Sequence, residues 1–141
     1  MTTLAKDQPR SYGISGSGDT NEIPMIADDI IYEGAAVGDN ASGLARPLVA
    51  ADPFMGFAVE RCDNAGGAAS AKRVKLYERG KIEIDVTGVA SADDVGQTVY
   101  ASDDATFTLT STSNTAIGKV ARWVSGTRCV VYFEGVQVRS L

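Results

Sequence analysis

The 141-residue sequence contains no histidine. That removes the side chain that titrates near neutral pH unaided, and with it the commonest general base and metal ligand. Ser-His-Asp and Cys-His arrangements are thereby excluded. Cysteine is scarce as well: Cys62 and Cys129 stand far apart, which rules out a structural zinc site of the usual composition. Nothing near the N-terminus joins a basic start to a long apolar run, and no apolar segment approaches the ~18 residues of a membrane span. The expectation is a protein made in the cytoplasm with both thiols reduced, buried and inert, a single Cys62–Cys129 bridge being the alternative. Positive charge is in deficit too. Thirteen Lys and Arg face eighteen Asp and Glu, a formal net charge of −5, whereas a protein that wraps nucleic acid needs a basic surface. No stretch sustains a 3.6-residue apolar period over the length of a helix, so the fold is not expected to be helical.

Glycine is plentiful, 15 of 141 residues, and falls mostly between short apolar runs where the chain turns. Asp29 to Gly34 reads as a short strand ended by glycine, and 37–43 as a turn cluster. Leu44 to Val49 reads as extended, with Pro47 marking an edge strand because it lacks a ladder donor. Phe54 to Cys62 is the next strand, and 63–71 a flexible hairpin tip. Lys81 to Val86 alternates strictly, so Ile82, Ile84 and Val86 share one buried face. Asp93 to Gly96 marks a turn or a single helical turn. Gln97 to Ala101 and Thr106 to Thr110 form a hairpin rich in Thr, Val, Tyr and Phe, which suit a pleated surface. The last strands run from Ala116 to Val124 and from Arg128 to Val138, joined tightly at Ser125-Gly126. Val130-Val131-Tyr132-Phe133 is apolar on both faces, so that strand is either central in a sandwich or covered by another subunit. The fold class is therefore all-β and mainly antiparallel, a compact small barrel or sandwich.

The strands come in two similar sets. Gly34 and Gly96, Val37 and Val99, and Gly56 and Gly118 are each 62 positions apart. Val74 and Val130, and Glu78 and Glu134, are each 56 apart, as a hairpin tip shorter by six residues would require. The halves of this strand-hairpin repeat are 28–86 and 93–138, within one β domain spanning 26–141. Residues 1–25 differ in kind. The small polar residues from Ser11 to Asp19 cannot offset their ordering entropy by burial. This segment is a disordered tail or an extended arm that orders on a partner. As an arm, it carries Leu4, Pro9, Tyr12, Ile14, Ile23 and Met25 as anchors for addition to another chain's sheet.

Few residues suggest chemistry. Gly13-Ile14-Ser15-Gly16-Ser17-Gly18 lacks the lysine of a phosphate loop and the spacing of a dinucleotide fingerprint, so it reads as a linker. The doublets Asp28-Asp29, Asp93-Asp94 and Asp103-Asp104 lack the successive oxygen ligands of a calcium loop and read as turn aspartates. Neither a cofactor nor a metal is expected. Trp123 is a half-buried aromatic or an interface anchor. Lys72, Arg73, Lys75, Arg79 and Lys81 form a local basic patch. It is a solvated face, or it pairs between subunits with the acidic turns at Asp93 and Asp103, an interface that Trp123 and Tyr132 would extend.

The stretches Gly34-x-x-Val37, Phe54-x-Gly56-x-Ala58, Lys81 to Val86, Gly96 to Ala101, Leu109-Thr110 and Asn114 to Val120 together resemble the capsid decoration, or cement, proteins of tailed bacteriophages. The resemblance covers about residues 28–138. It implies a β-rich, β-tulip-like body, commonly a homotrimer, bound to the outer surface of the virion where major capsid subunits meet, with the N-terminal arm reaching across the shell. It also implies a non-catalytic structural protein, made in the host cytoplasm, whose partners are the major capsid protein and itself, with neither nucleic acid nor membrane. The alternative is a carbohydrate- or receptor-binding β module of a tail fibre, using Trp123, Tyr100 and Tyr132.

Overall fold

The computed structural model describes residues 4–13 and 20–139. In chain order the strands are β1 (Ser11–Gly13), β2 (Thr20–Pro24), β3 (Ile30–Ile31), β4 (Ala36–Asp39), β5 (Ala45–Pro47), β6 (Phe54–Ala58) and β7 (Cys62–Asp63). They continue as β8 (Arg73–Tyr77), β9 (Arg79–Asp85), β10 (Thr98–Ala101), β11 (Phe107–Thr108), β12 (Thr115–Ser125) and β13 (Arg128–Glu134). One 3-10 turn, Ala92–Asp94, precedes β10 and is capped by Ser91 and Asp94 in a reciprocal box. Sheet A has the order β1-β9-β13-β12-β10-β11, sheet B the order β2-β8-β6-β4-β5, and β3 and β7 make a separate ribbon. All these pairings are antiparallel.

Three layers enclose two cores. Ile82, Ile84 and Val86 turn inward from sheet A, as their alternation dictates, and meet Ala36, Phe54 and Phe57 from sheet B. The other face of sheet B carries Val37, Met55, Ala58, Val74 and Leu76 into a second core, closed beyond by Ile31 and Cys62 of the ribbon. Sheet B is thus the middle layer, and its β6 is buried at every residue. The strand buried on both faces is therefore β6. By contrast β13 is central in sheet A but has one wet face, where Tyr132 is 39% exposed. The expected strand from Phe54 to Cys62 divides into β6 and β7, because the chain leaves sheet B after Ala58 to build the ribbon.

The two sheets repeat one register. Val37 pairs with Gly56 and Gly38 with Phe54, around a bulge. Sixty-two residues on, Val99 pairs with Gly118 and Tyr100 with Ala116, around a bulge at the same place. Ile23 opposite Val74 and Asn21 opposite Leu76 correspond to Ile84 opposite Cys129 and Ile82 opposite Val131. Val74 thus matches Cys129, a spacing of 55 and not the 56 read from identities; Val130 faces the other way. Each set also closes in the same manner, Ile26 N–H donating to Ala45 O (3.0 Å) and Thr87 N–H to Phe107 O (2.9 Å).

The two ends of the chain brace the halves. The Gln8 amide donates to Glu33 O (2.8 Å), and Asp7 accepts from the Glu33 amide (3.1 Å) and from Arg61 Nε (3.2 Å). Arg10 donates to Gly34 O at 3.1 Å and lies over the Phe107 ring, while Tyr12 enters a slot 4.6 Å from Tyr77 and 6.4 Å from Phe133. At the other end, Val136 N–H donates to Phe54 O (2.8 Å) and Arg139 Nη2 to Ala116 O (2.6 Å), the matching carbonyls of the two sheets.

The Tyr12 hydroxyl is buried without a hydrogen-bond partner among the described residues. Burial pushes its pKa above the ordinary phenol range. An unpaired buried hydroxyl costs free energy, so Tyr12→Phe is expected to be neutral or to stabilise by up to about 1 kcal/mol. Urea midpoints of the two proteins would reveal this, and a loss above that size would mean the hydroxyl has a partner in solution.

Candidate functional site

Among the described residues, the outer face of sheet A carries exposed cationic and aromatic side chains. Alternation along β9, β13 and β12 sends Ile82, Cys129, Val131 and Val120 into the core and leaves the intervening residues outside. Pairing then sets these side by side. Tyr132 lies between Lys81 and Lys119, and Val130 between Glu83 and Arg122. Val130 is short among long neighbours, so two overlapping depressions of about 170 and 270 Å³ open above it, both rimmed by Lys81 and Arg122. A third, of about 320 Å³, lies on the far side of Tyr132 against Ala116, Lys119 and Arg139.

Electrostatically the face is lopsided. Arg128 Nε donates to Glu83 (3.0 Å) and its Nη1 to Asp85 (3.3 Å), so one cation serves two carboxylates. Lys81, Lys119 and Arg122 enter no ion pair among the described residues. Exposed Tyr132 and these three cations make a surface suited to a carboxylate-bearing partner. Among the described residues no group of three or more Cys, Asp or Glu side chains could hold a metal ion, and no helix is long and apolar enough to cross a membrane.

The sequence-predicted residues scatter. Of the arm residues, Met25 is fully buried in the second core, which corrects its expected role as a partner contact. Ile23 and Leu4 pack against that same core and Tyr12 against the first, because the apolar groups of the segment find their partners within the chain. Pro9 is exposed. Ile14, and the rest of the glycine-rich stretch to Asp19, lie outside the described residues. Lys72, Arg73 and Lys75 are exposed around β8, on sheet B and away from the Lys81 face. Asp93 is exposed. The Asp103 carboxylate accepts from the Ala105 amide (2.8 Å) and from Thr106 Oγ1 (3.1 Å) within its own turn. Trp123 is half-buried against the first core and donates from Nε1 to Gly126 O (3.0 Å) across the β12–β13 turn. Sequence reading missed Lys119 and Arg122, which join Lys81 only through cross-strand register.

Both cysteines are free and buried. Burial raises both thiols, Cys129 up to about 11 with Asp85 adding to it. Neither is expected to react with a thiol reagent near pH 8 until the chain unfolds. The folded state favours neutral Cys129, so its contribution is complete below pH 9 and is lost as pH rises through about 11. Denaturation at pH 8 and at higher pH would show this, with a smaller loss for Cys129→Ala.

No protein-family model matches the chain, and no curated protein matches its sequence.

Proposed function

We propose that this chain is a non-catalytic virion protein that binds the outer surface of a tailed-phage capsid and cross-links major capsid subunits. What carries the reading is a braced body with one exposed cationic and aromatic face: two sheets of common register, tied at both chain ends. A clamp across subunit seams must transmit load without deforming, and such cross-bracing serves that need. A multimer engaging several capsid subunits gains effective concentration, so modest contacts become strong together. The residues that carry the phage resemblance fall on β4, β6, β9, β10 and β12, with Leu109-Thr110 just after β11.

Attachment is assigned to the N-terminal segment. There β1 is the edge strand of sheet A and can accept a strand from a capsid subunit, while Lys6, Gln8 and Pro9 are exposed beside it. Co-sedimentation with expanded phage capsids tests both parts. Intact protein is expected to pellet with the shells, and protein lacking residues 1–13 to remain in the supernatant. Full binding by the truncated protein would remove the segment from the account; no binding by intact protein would sink the capsid reading itself.

A further inference from the structure

We propose that the outer face of sheet A docks the acidic β3–β7 ribbon of a second copy of this chain, head to tail. The layering sets these two surfaces at opposite ends of one molecule. Sheet A is one outer layer and the ribbon closes the second core on the other side of sheet B.

The charges complement one another. At the sheet A end, Lys81, Lys119 and Arg122 are exposed and enter no ion pair among the described residues. At the ribbon end, Asp28, Glu60 and Asp63 are exposed and are equally outside any described ion pair. The ribbon holds its carboxylates in place, since Asp28 Oδ1 accepts from the Gly66 amide (2.8 Å) and Asp63 Oδ1 from the Ala65 amide (3.0 Å). Ile30 pairs with Asp63, so Asp28 and Asp63 belong to one rigid unit. The polarity follows the elements: residues 28–33 and 60–63 carry five acidic side chains against one basic, Arg61, whereas β9, β12 and β13 carry five basic against three acidic.

Such a distribution selects one arrangement. A symmetric contact would set cations on cations or carboxylates on carboxylates, whereas a heterologous contact matches unlike ends and closes a ring where its rotation allows. Tyr132, 39% exposed between Lys81 and Lys119 with its hydroxyl donating to Glu134 (3.2 Å), supplies the aromatic anchor that interface centres favour. The contact provides the self-association that the clamp reading uses, without depending on capsid binding.

Charge exchange between copies tests it. Sedimentation velocity would compare intact protein with the K81E/K119E/R122E variant and the D28K/E60K/D63K variant. All six positions are exposed, and melting curves would verify folding. Intact protein is expected to self-associate at roughly 0.01 M salt and to dissociate at roughly 1 M, where the screening length falls to about 3 Å. Each variant alone is expected to associate at least about tenfold more weakly, and an equimolar mixture of the two to recover association, because reversed face then meets reversed ribbon. A monomer at low salt, association untouched by either variant, or a mixture that fails to recover would each overturn the proposal. Monomers that still pellet with capsids would overturn this contact and leave the capsid reading standing. Oligomers that ignore capsids would do the reverse.

Discussion

Gly56→Ala is expected to lower the stability of the chain by about 3–5 kcal/mol, enough to unfold much of a marginal domain at room temperature. A Cβ at Gly56 would run into the backbone carbonyl of Tyr77 on the neighbouring strand. Backbone inside a buried sheet cannot give way as the end of a side chain can. The residue also sits at φ +145°, a conformation that strains any L side chain. Gly118, its counterpart in sheet A, meets the carbonyl of Tyr132 in the same way but without the positive φ. Gly118→Ala is accordingly expected to cost less, about 2–4 kcal/mol. Gly96 has φ +91° and open space around it, so Gly96→Ala isolates the backbone strain at about 1 kcal/mol. Urea unfolding of the three variants would order them Gly56, Gly118, Gly96. A Gly56 variant as stable as the Gly96 one would mean that the β6–β8 approach is looser than drawn.

Phe57→Ala is expected to cost about 3–5 kcal/mol. Phe57 reaches from sheet B into the shared core, where its ring lies 4.9 Å from Phe133, 5.5 Å from Phe54 and 5.8 Å from Phe107. Phe133 and Phe107 belong to sheet A, so truncation removes the contact that joins the two sheets as well as buried area. The Phe57–Phe133 pair is near-perpendicular at 79°, an arrangement worth about 0.5–1.5 kcal/mol beyond burial. A double-mutant cycle with Phe133→Ala is expected to return coupling of that order. Additive losses would show that the rings share a core without interacting. Tyr132→Ala, on the wet face of the same strand, serves as the control and should change stability little.

Much of this architecture can be read from residue order. Strict alternation from Lys81 to Val86 announces a one-sided strand, and β9 buries Ile82 and Ile84 as that pattern requires. Pro47 marks an edge, and β5 lies at the edge of sheet B. Gly56 and Gly118 pointed to matching positions in the two sheets because both are needed where a neighbouring carbonyl comes close. Other features depend on tertiary placement. The apolar run from Phe54 to Ala58 is buried on both faces only because a ribbon covers the far side of sheet B, and nothing local specifies that cover. Met25 and Tyr12 look like anchors for a foreign sheet, yet Tyr12 pairs with Ile82 of β9 and the Met25 amide donates to Lys72 O within the chain. The cationic face escaped notice for a similar reason: Lys81 and Lys119 are distant in sequence and become neighbours of Tyr132 through register alone.

The bonds from the C-terminal turn impose an order on synthesis. The second core draws only on residues from Met25 to Leu76, together with Leu4 and Ile23 against it, so it can collapse while the chain is still being made. The carbonyls of Phe54 and Ala116 wait for Val136 and Arg139, which follow the residues of both cores in the sequence. A chain stalled before those residues would keep an open seam between its sheets. Arrival of residues 136–139, rather than collapse of either core, is then the moment at which the two sheets are locked together.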